Sequence, residues 1–518
     1  MNYLEAFDRT ARVHTTDTAI VTDDGTEFTY EELDRRSTEL ANALEARIPS
    51  ERCAVLTRNG SATVASMIAG QKRGAATVQL PFRGSSRELV SMAETADAAG
   101  LIFDDANAEA ALSMLDGGAF ETAIHVGTRS LDRPDVESYG TVLSVAPSDR
   151  EEALPDGDEC AVFYTSGTTS QPKAVRFDQE QMWLGATQVV MEHGIDETDV
   201  ALVTTPWYHM VTTDAWLYPH LLAGATLVLH SQFHPDEALE LIEEHDVTGM
   251  LAVPTQLNAL NDAQADANYG VESLSYIRTG GSIVTESLIE RTATLLTENV
   301  YNTYGLTEGG PNLAFAHPSV QAEHPGTIGK ESFVWELRVV EAATPTEHPD
   351  PTAVVDAGER GEIIARGPGM STGYIDNERA ERKSYFDGWV RTGDVARVDD
   401  DGFLYVVDRV DNMIVSGGEN VYPREIERAL EEHEAVREVC VFGVDDDHWG
   451  EVVTSVVVTE ESLDGGSLDA EELDAFCRNL DSLADFKRPR RYAIVTDSLP
   501  RTDTGTIQRE RLVERHFS

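Results

Sequence analysis

Tyr164–Thr165–Ser166–Gly167–Thr168–Thr169–Ser170–Gln171–Pro172–Lys173 follows directly on the apolar run Ala161–Phe163. An apolar strand that ends in a row of hydroxyls around a glycine offers side-chain and backbone donors to phosphate oxygens, and Lys173 adds a positive charge. No Gly-Lys-Ser/Thr follows, so the stretch is not a Walker loop. The bland alternative is a polar surface turn. Lysine usage argues against it: the 518 residues contain five lysines, Lys72, Lys173, Lys330, Lys383 and Lys487, and one of them sits here.

Working outward, apolar runs alternate with helical spacing on both sides. Residues 30–46 have apolar positions at helical intervals, with Thr29 as cap. Cys53–Leu56 reads as a strand, Ala62–Arg73 as a helix and Gly100–Phe103 as a strand. Downstream, strand Leu202–Thr205, helix Trp216–Ala223, strand Thr226–Leu229, helix Pro235–His245 and strand Met250–Val253 repeat the pattern. This predicts an α/β fold, a large N-terminal domain of mainly parallel sheets packed with helices. Residues 341–360 are rich in proline, alanine and acid and read as an exposed loop. After Gly361 the texture turns β-rich. A helix over Val421–Glu431, strands over Val436–Val444 and Glu451–Val458, and a helix over Asp469–Asn479 predict a small α+β domain. The boundary falls near Arg409–Asn412, giving domains 1–410 and 411–518.

The charge excludes several classes. Ninety-two acidic against 40 basic residues give a formal charge of −52, spread along the chain. Such a field argues against nucleic acid as partner. At 41% hydrophobic the chain can still bury large cores. No apolar run is long enough for a membrane span, and the N-terminus lacks a signal core. Cys53, Cys160, Cys440 and Cys477 have no metal spacing. A cytoplasmic, salt-adapted protein is expected, since carboxylates hold hydration at high salt and their repulsion is screened there. A homodimer is compatible with all of this.

The hydroxyl-rich string opens an ordered series. Pro206–Trp207–Tyr208–His209, Gly280–Gly281–Ser282, Asn302–Thr303–Tyr304–Gly305–Leu306–Thr307–Glu308, Gly361 to Tyr374, Trp389 to Asp394, Asp408–Arg409–Val410–Asp411 and Ser416 to Asn420 follow in turn. In this series the chain resembles the adenylate-forming superfamily of acyl- and aryl-CoA ligases, luciferases and peptide-synthetase adenylation domains. The resemblance spans nearly the whole chain.

It implies a two-step reaction, in which a small carboxylic acid attacks the α-phosphorus of ATP and a thiol then displaces AMP. It also implies a mobile C-terminal domain that turns about a hinge, here Asp411. Thr165, Ser166, Gly167, Thr168, Thr169 and Lys173 would hold phosphates, and Gly280, Gly281 and Ser282 the adenine, with Asn302 and Tyr304 beside it. Thr307 would donate to the α-phosphate, Glu308 would hold Mg²⁺, and Asp394 and Arg409 would hold the ribose. His209, with Trp183, Met210, Val211, Gly309 and Gly310, would line the acid pocket. These segments are apolar and contain no cation for a second carboxylate, so an apolar aromatic or fatty acid is expected.

Coenzyme A is the expected thiol. Lys487–Arg488–Pro489–Arg490–Arg491 puts four basic groups in five residues, against about one in 13 over the chain, which fits a polyanionic ligand. Ion pairing to neighbouring acids is the alternative. The stretch around it resembles the chlorobenzoate/benzoate-type CoA ligases, which implies CoA contacts from Trp449, Phe486, Arg488 and Arg490, with Arg83 a further candidate. Gly417, Gly418, Glu419 and Asn420 would line the pantetheine tunnel.

One position departs from the family pattern. Its C-terminal motif ends in Gly-Lys, and here Gly505 is followed by Thr506. The missing lysine bridges carboxylate and α-phosphate, and losing such a group commonly costs roughly 10²–10³ in rate. Arg501 or Arg509 is a possible substitute. Other readings stay open: a non-CoA acceptor, or an adenylation-impaired ligand-binding homologue.

Overall fold

The fold is that of a computed structural model, which describes residues 2–48, 52–149, 159–165, 172–282, 284–344, 347–416, 419–446, 449–459, 468–480, 483–501 and 507–517. Ser166–Gln171, Gly417, Gly418 and Thr506 lie outside the described residues.

By density of contacts the chain forms two compact units. One comprises Met1–Leu337, Ile364–Thr392 and Gly402–Leu404, the other Arg338–Ile363, Gly393–Asp401 and Tyr405–Ser518. The first holds two sheets. Among the described residues, one has seven strands, ordered Val136–Ser138, Thr122–Val126, Gly100–Asp104, Arg52–Leu56, Ala76–Gln79, Glu159–Thr165 and Lys173–Asp178. Neighbours in it are parallel except the last pair, an antiparallel hairpin. The other has nine strands and runs Lys330–Glu331, Gly310–Ala316, Val300–Leu306, Tyr276–Gly280, Gly249–Leu251, Val200–Val203, Thr226–Leu229, Thr18–Thr22 and Glu27–Thr29. Its central pairs are parallel. The α/β expectation holds, because short apolar strands buried on both faces need helices as crossovers.

Local signals explain the element ends. Helix Tyr30–Arg47 starts at Thr29, whose hydroxyl accepts from Glu32 N at 3.2 Å while Glu32 accepts from Thr29 N at 3.1 Å, a reciprocal cap. The helix expected over Trp216–Ala223 starts earlier. Thr213–Leu217 is wound as a π turn and runs into the α-helix Tyr218–Ala223. Such widened turns recur at functional sites.

The second unit contains a sheet ordered Glu419–Val421, Ile414–Ser416, Gly450–Thr459 and Val436–Asp446, with Arg491–Val495 parallel to Gly450–Thr459. Helices Pro423–Glu431 and Ala470–Asn479 bury Ile426, Leu430, Leu473 and Cys477 in its core. The expected α+β character is met. The first of these helices starts two residues later than expected, because Pro423 suits a first turn that needs no N–H. All four cysteines are buried and free. Among the described residues no helix is long and apolar enough to cross a membrane.

Candidate active site

The first unit brings three motif residues into a line. Strands Glu159–Thr165 and Lys173–Asp178 pair antiparallel with Thr165 opposite Lys173, so the two ends of the phosphate string lie side by side. The outer hairpin strand is covered by residues 372–375. Arg176 N donates to Gly373 O at 3.0 Å and Ile375 N to Ala174 O at 2.9 Å, which brings Tyr374 beside Lys173. The Lys173 ammonium lies 5.2 Å from the centre of the Tyr374 ring, within cation–π range. The Tyr374 hydroxyl donates to Glu308 Oε1 at 2.6 Å and contacts Ser384 Oγ at 3.0 Å. Burial, then the Glu308 charge, raises the Tyr374 pKa, so the phenol keeps its proton. Glu308 is 9% exposed and sits in a tight turn, Thr307–Gly309, after the strand Val300–Leu306. Tyr374 thus meets a cation at its ring and a carboxylate at its hydroxyl. A carboxylate oxygen is a ligand type that suits Mg²⁺, and Glu308 would be the residue to hold it.

Gly280 ends a strand next to Val300–Leu306, opposite Thr303. A Cβ on it would lie 2.3 Å from the Thr303 carbonyl oxygen, and Gly281 takes a left-handed φ of +77°. The two glycines let the chain turn tightly here, leaving Ser282 exposed. Tyr304 is buried, on the strand parallel to the one ending at Gly280. Asn302 is also buried, and its amide donates to Thr327 O at 2.8 Å. It braces the loop before Lys330.

His209 leads into the short turn Met210–Thr212, its carbonyl accepting from Thr212 N at 2.9 Å. Its ring lies 4.4 Å from that of Tyr208, which meets Phe82 edge-on at 5.1 Å. Desolvation, helped by the charge of Arg83, lowers the His209 pKa to about 4. The ring is neutral at pH 7. Val211 packs with Val189, Ala215 and Phe315, and Gly310 opens the strand that carries Phe315. Trp183 is half-buried on the helix Gln179–His193. A cavity of about 280 Å³ beside Pro206 is lined by Arg58, Asn59, Phe82, Arg83 and Phe233.

The second unit holds the ribose candidates. Arg409 Nη1 pairs with Asp394 Oδ1 at 3.0 Å, with Asp394 8% exposed. Gly393 is left-handed at φ +71°, and a Cβ on it would sit 3.0 Å from Arg409 Nη2. The left-handed backbone favours glycine, and a side chain here would press on the end of Arg409. Asp411 is exposed in the turn Val410–Asn412. Glu419 pairs with Ser416 and Asn420 with Val415 in neighbouring antiparallel strands.

The basic cluster is fully engaged with acids. Lys487 contacts both oxygens of Glu425 at 2.7 and 2.9 Å, and Arg488 pairs with Asp474 and, at 3.2 Å, with Asp485. Arg490 reaches Asp485 at 3.4 Å and Arg491 reaches Asp446 at 2.9 Å. Trp449 and Phe486 are 39% and 41% exposed. Of the proposed lysine substitutes, Arg509 is tied to Glu427 and Asn412 at 3.4 Å each, and Arg501 pairs with Glu438 at 3.0 Å. Sequence reasoning quoted Tyr374 without a role. Its signal was the Gly373–Tyr374 pair, and its partner Glu308 is 66 residues away.

The AMP-binding enzyme family matches residues 7–375, and the AMP-binding enzyme C-terminal domain matches residues 425–506. The chain belongs to this family, the adenylate-forming acid–thiol ligases that use ATP, Mg²⁺ and CoA. It is 35% identical to a feruloyl-CoA synthase of Amycolatopsis sp over 93% of each chain. It is 34% identical to a 2-succinylbenzoate–CoA ligase of Bacillus licheniformis over 74% of this chain and 75% of that one. An o-succinylbenzoate CoA synthetase of Bacillus subtilis, solved with its acyl-adenylate intermediate, superposes with a TM-score of 0.83 at 28% identity, covering 99% and 97%.

Proposed function

We propose that the chain activates an aromatic carboxylic acid with ATP and transfers the acyl group to CoA. The single observation that carries this is the line Lys173–Tyr374–Glu308 beside the phosphate hairpin; the relatives that act on feruloyl and succinylbenzoyl groups support the aromatic substrate.

In the first step a carboxylate oxygen of the acid attacks the α-phosphorus, and the bond to pyrophosphate breaks. Lys173 and the hydroxyls of Thr165, Ser166, Thr168 and Thr169 hold the phosphates, Thr307 donates to the α-phosphate, and Asp394 with Arg409 holds the ribose. Glu308 would hold Mg²⁺, which supplies charge neutralisation for the leaving pyrophosphate. Tyr374 fixes the Glu308 carboxylate and keeps Lys173 at the phosphate end. In the second step the CoA sulfur attacks the acyl carbon and AMP leaves. Neutral His209 lines the path of acid and thiol, and the C-terminal residues turn about Asp411. Asp411→Pro should then slow thioester formation from supplied acyl-adenylate more than it slows adenylation. Trp449, Phe486 and Arg490 are the proposed CoA contacts, reached by exchanging surface ion pairs for phosphates.

Thr506 favours a second reading, in which adenylation is weak and conversion of acyl-adenylate to acyl-CoA is the stronger half-reaction. Thr506→Lys tests it. A tenfold or greater rise in acid-dependent pyrophosphate release supports it, and an unchanged rate means that another group already serves. The charge of −52 supports a cytoplasmic protein of a high-salt cell. Activity that rises from dilute buffer to molar KCl checks this, and gel filtration in the same salt checks for a homodimer.

A further inference from the structure

The family motifs carry no cation at the acid pocket, but the fold brings one there from outside them. Arg278 lies two residues before Gly280 and is 0% exposed. Its Nε donates to Thr303 Oγ1 at 3.3 Å, its Nη1 to the Ala215 carbonyl at 3.0 Å and its Nη2 to Asn312 Oδ1. Its guanidinium sits 5.3 Å from the centre of the Phe315 ring. A guanidinium carries five N–H groups, so these bonds leave one hydrogen on each terminal nitrogen. All three acceptors are neutral, and among the described residues no carboxylate comes within ion-pair distance. Burial lowers the Arg278 pKa to about 9, opposed by Asp214 and Glu192, so the guanidinium still carries its charge at pH 7. Asp214 is 2% exposed, and its Oδ1 has no partner. Burial raises its pKa well above the carboxylate range, towards the neutral acid. The Asn312 Nδ2 is likewise buried without a partner.

This group adjoins the pocket assigned above. Phe315 and Ala215 pack with Val211, and Asn312 and Phe315 belong to the strand that opens at Gly310. A Cβ on Gly280 would lie 3.0 Å from Thr303 Oγ1, the oxygen that Arg278 holds. The unused capacity at Arg278 and Asn312 is donor-only, and the site carries a positive charge without an anion in contact. A buried cation of this kind is stabilised by an acceptor-only anion, and a carboxylate matches the planar fork of arginine. A hydroxyl would answer the donors but not the charge.

We propose that Arg278, supported by Asn312, receives a second carboxylate at the end of the substrate remote from the reacting one, so that the preferred substrate is an aromatic acid with two carboxylates. This rests on the reading of the chain as an acid–CoA ligase.

The test compares matched acids in molar KCl: benzoate with terephthalate, and cinnamate with its 4-carboxy and 4-hydroxy derivatives. The readout is kcat/KM for pyrophosphate release. The expected result is a preference of tenfold or more for the dicarboxylate in at least one pair, reduced to within threefold of unity in Arg278→Leu. Arg278→Gln and Asn312→Ala, checked by near-UV circular dichroism, serve if the leucine variant does not fold. Wild-type enzyme that turns over these acids without preferring a dicarboxylate, or that prefers the hydroxy acid, overturns the inference and leaves the ligase reading standing. A preference that survives in a folded Arg278 variant also overturns it. No pyrophosphate with any acid, together with no conversion of a supplied acyl-adenylate to acyl-CoA, overturns the ligase reading and the inference with it; where only acyl-adenylates are converted, the same preference is read from the matched acyl-adenylates.

Discussion

The Tyr374 hydroxyl donates to Glu308 Oε1 at 2.6 Å, and the same ring faces the Lys173 ammonium. One aromatic side chain therefore couples the proposed metal carboxylate to the phosphate lysine. Tyr374→Phe removes the bond and keeps the ring and the backbone pairing to the hairpin. A hydrogen bond to a charged group is worth about 1.5–3 kcal/mol. Adenylation should fall roughly ten- to a hundredfold, with a higher Mg²⁺ requirement. Titrating Mg²⁺ against pyrophosphate release checks this; an unchanged Mg²⁺ curve would remove Tyr374 from the site.

Asp394 and Arg409 form the second such pair, held at 3.0 Å beside left-handed Gly393. Asp394→Asn keeps the shape and removes the anion that would accept the ribose hydroxyls. The KM for ATP should rise about tenfold, as expected for loss of a charge-assisted bond, with the KM for the acid little changed. Steady-state kinetics in each substrate separates the two. An equal rise in both would indicate general damage.

His209 gives a pH prediction with a definite sign. Its pKa is lowered to about 4 from an ordinary value near 6.5, first by desolvation and then by Arg83, and burial lowers that of His220 to about 4 as well. Between these values the unfolded chain binds more protons than the folded one, so stability falls as pH drops from about 6.5 towards 4. Above about 6.5 neither histidine contributes a slope. The Cε1–H NMR signal of His209, assigned with His209→Gln, should stay at its neutral position down to pH 5. A protonated signal at pH 6 would contradict the described environment.

The basic run divides into supports and ligand candidates. Lys487 bonds to both oxygens of Glu425, which also accepts from Arg360 at 2.9 Å. Arg490 is held only near the surface by Asp485. Lys487→Ala should therefore lower the melting temperature. Arg490→Ala should leave it nearly unchanged, because exposed ion pairs contribute about 0–1 kcal/mol, and should raise the KM for CoA several-fold. The reverse assignment would follow if only the lysine variant altered CoA binding.

How much was legible in the sequence depends on the range of the interactions involved. The strand–helix alternation and the Thr29 cap are local, and the α/β character follows from them; the interleaving of the two units, with Arg338–Ile363 and Gly393–Asp401 in the second, does not follow from the expected boundary near Arg409–Asn412. The hydroxyl-rich string, Asp394 and Arg409 are proposed as ligand-holding residues from motif order alone, which needs no contacts. The π turn at Thr213–Leu217 was not legible, since its apolar residues also satisfy ordinary helical spacing. Tyr374 and Arg278 acquire their roles from partners far along the chain. Arg278 meets Ala215 and Asn312, 63 and 34 residues away, and a single arginine in a five-residue buried strand carries no periodic signal. The Lys487–Arg491 run left a ligand patch and ion pairing both open, because three of its acids, Glu425, Asp446 and Asp474, come from other elements.

The most direct measurement is acid-dependent release of pyrophosphate from ATP in molar KCl, followed with and without CoA. With aromatic acids, ATP and Mg²⁺, pyrophosphate is predicted to appear. Addition of CoA is predicted to yield AMP and acyl-CoA in equal amounts. No pyrophosphate with any acid, together with no conversion of a supplied acyl-adenylate to acyl-CoA, would contradict the account.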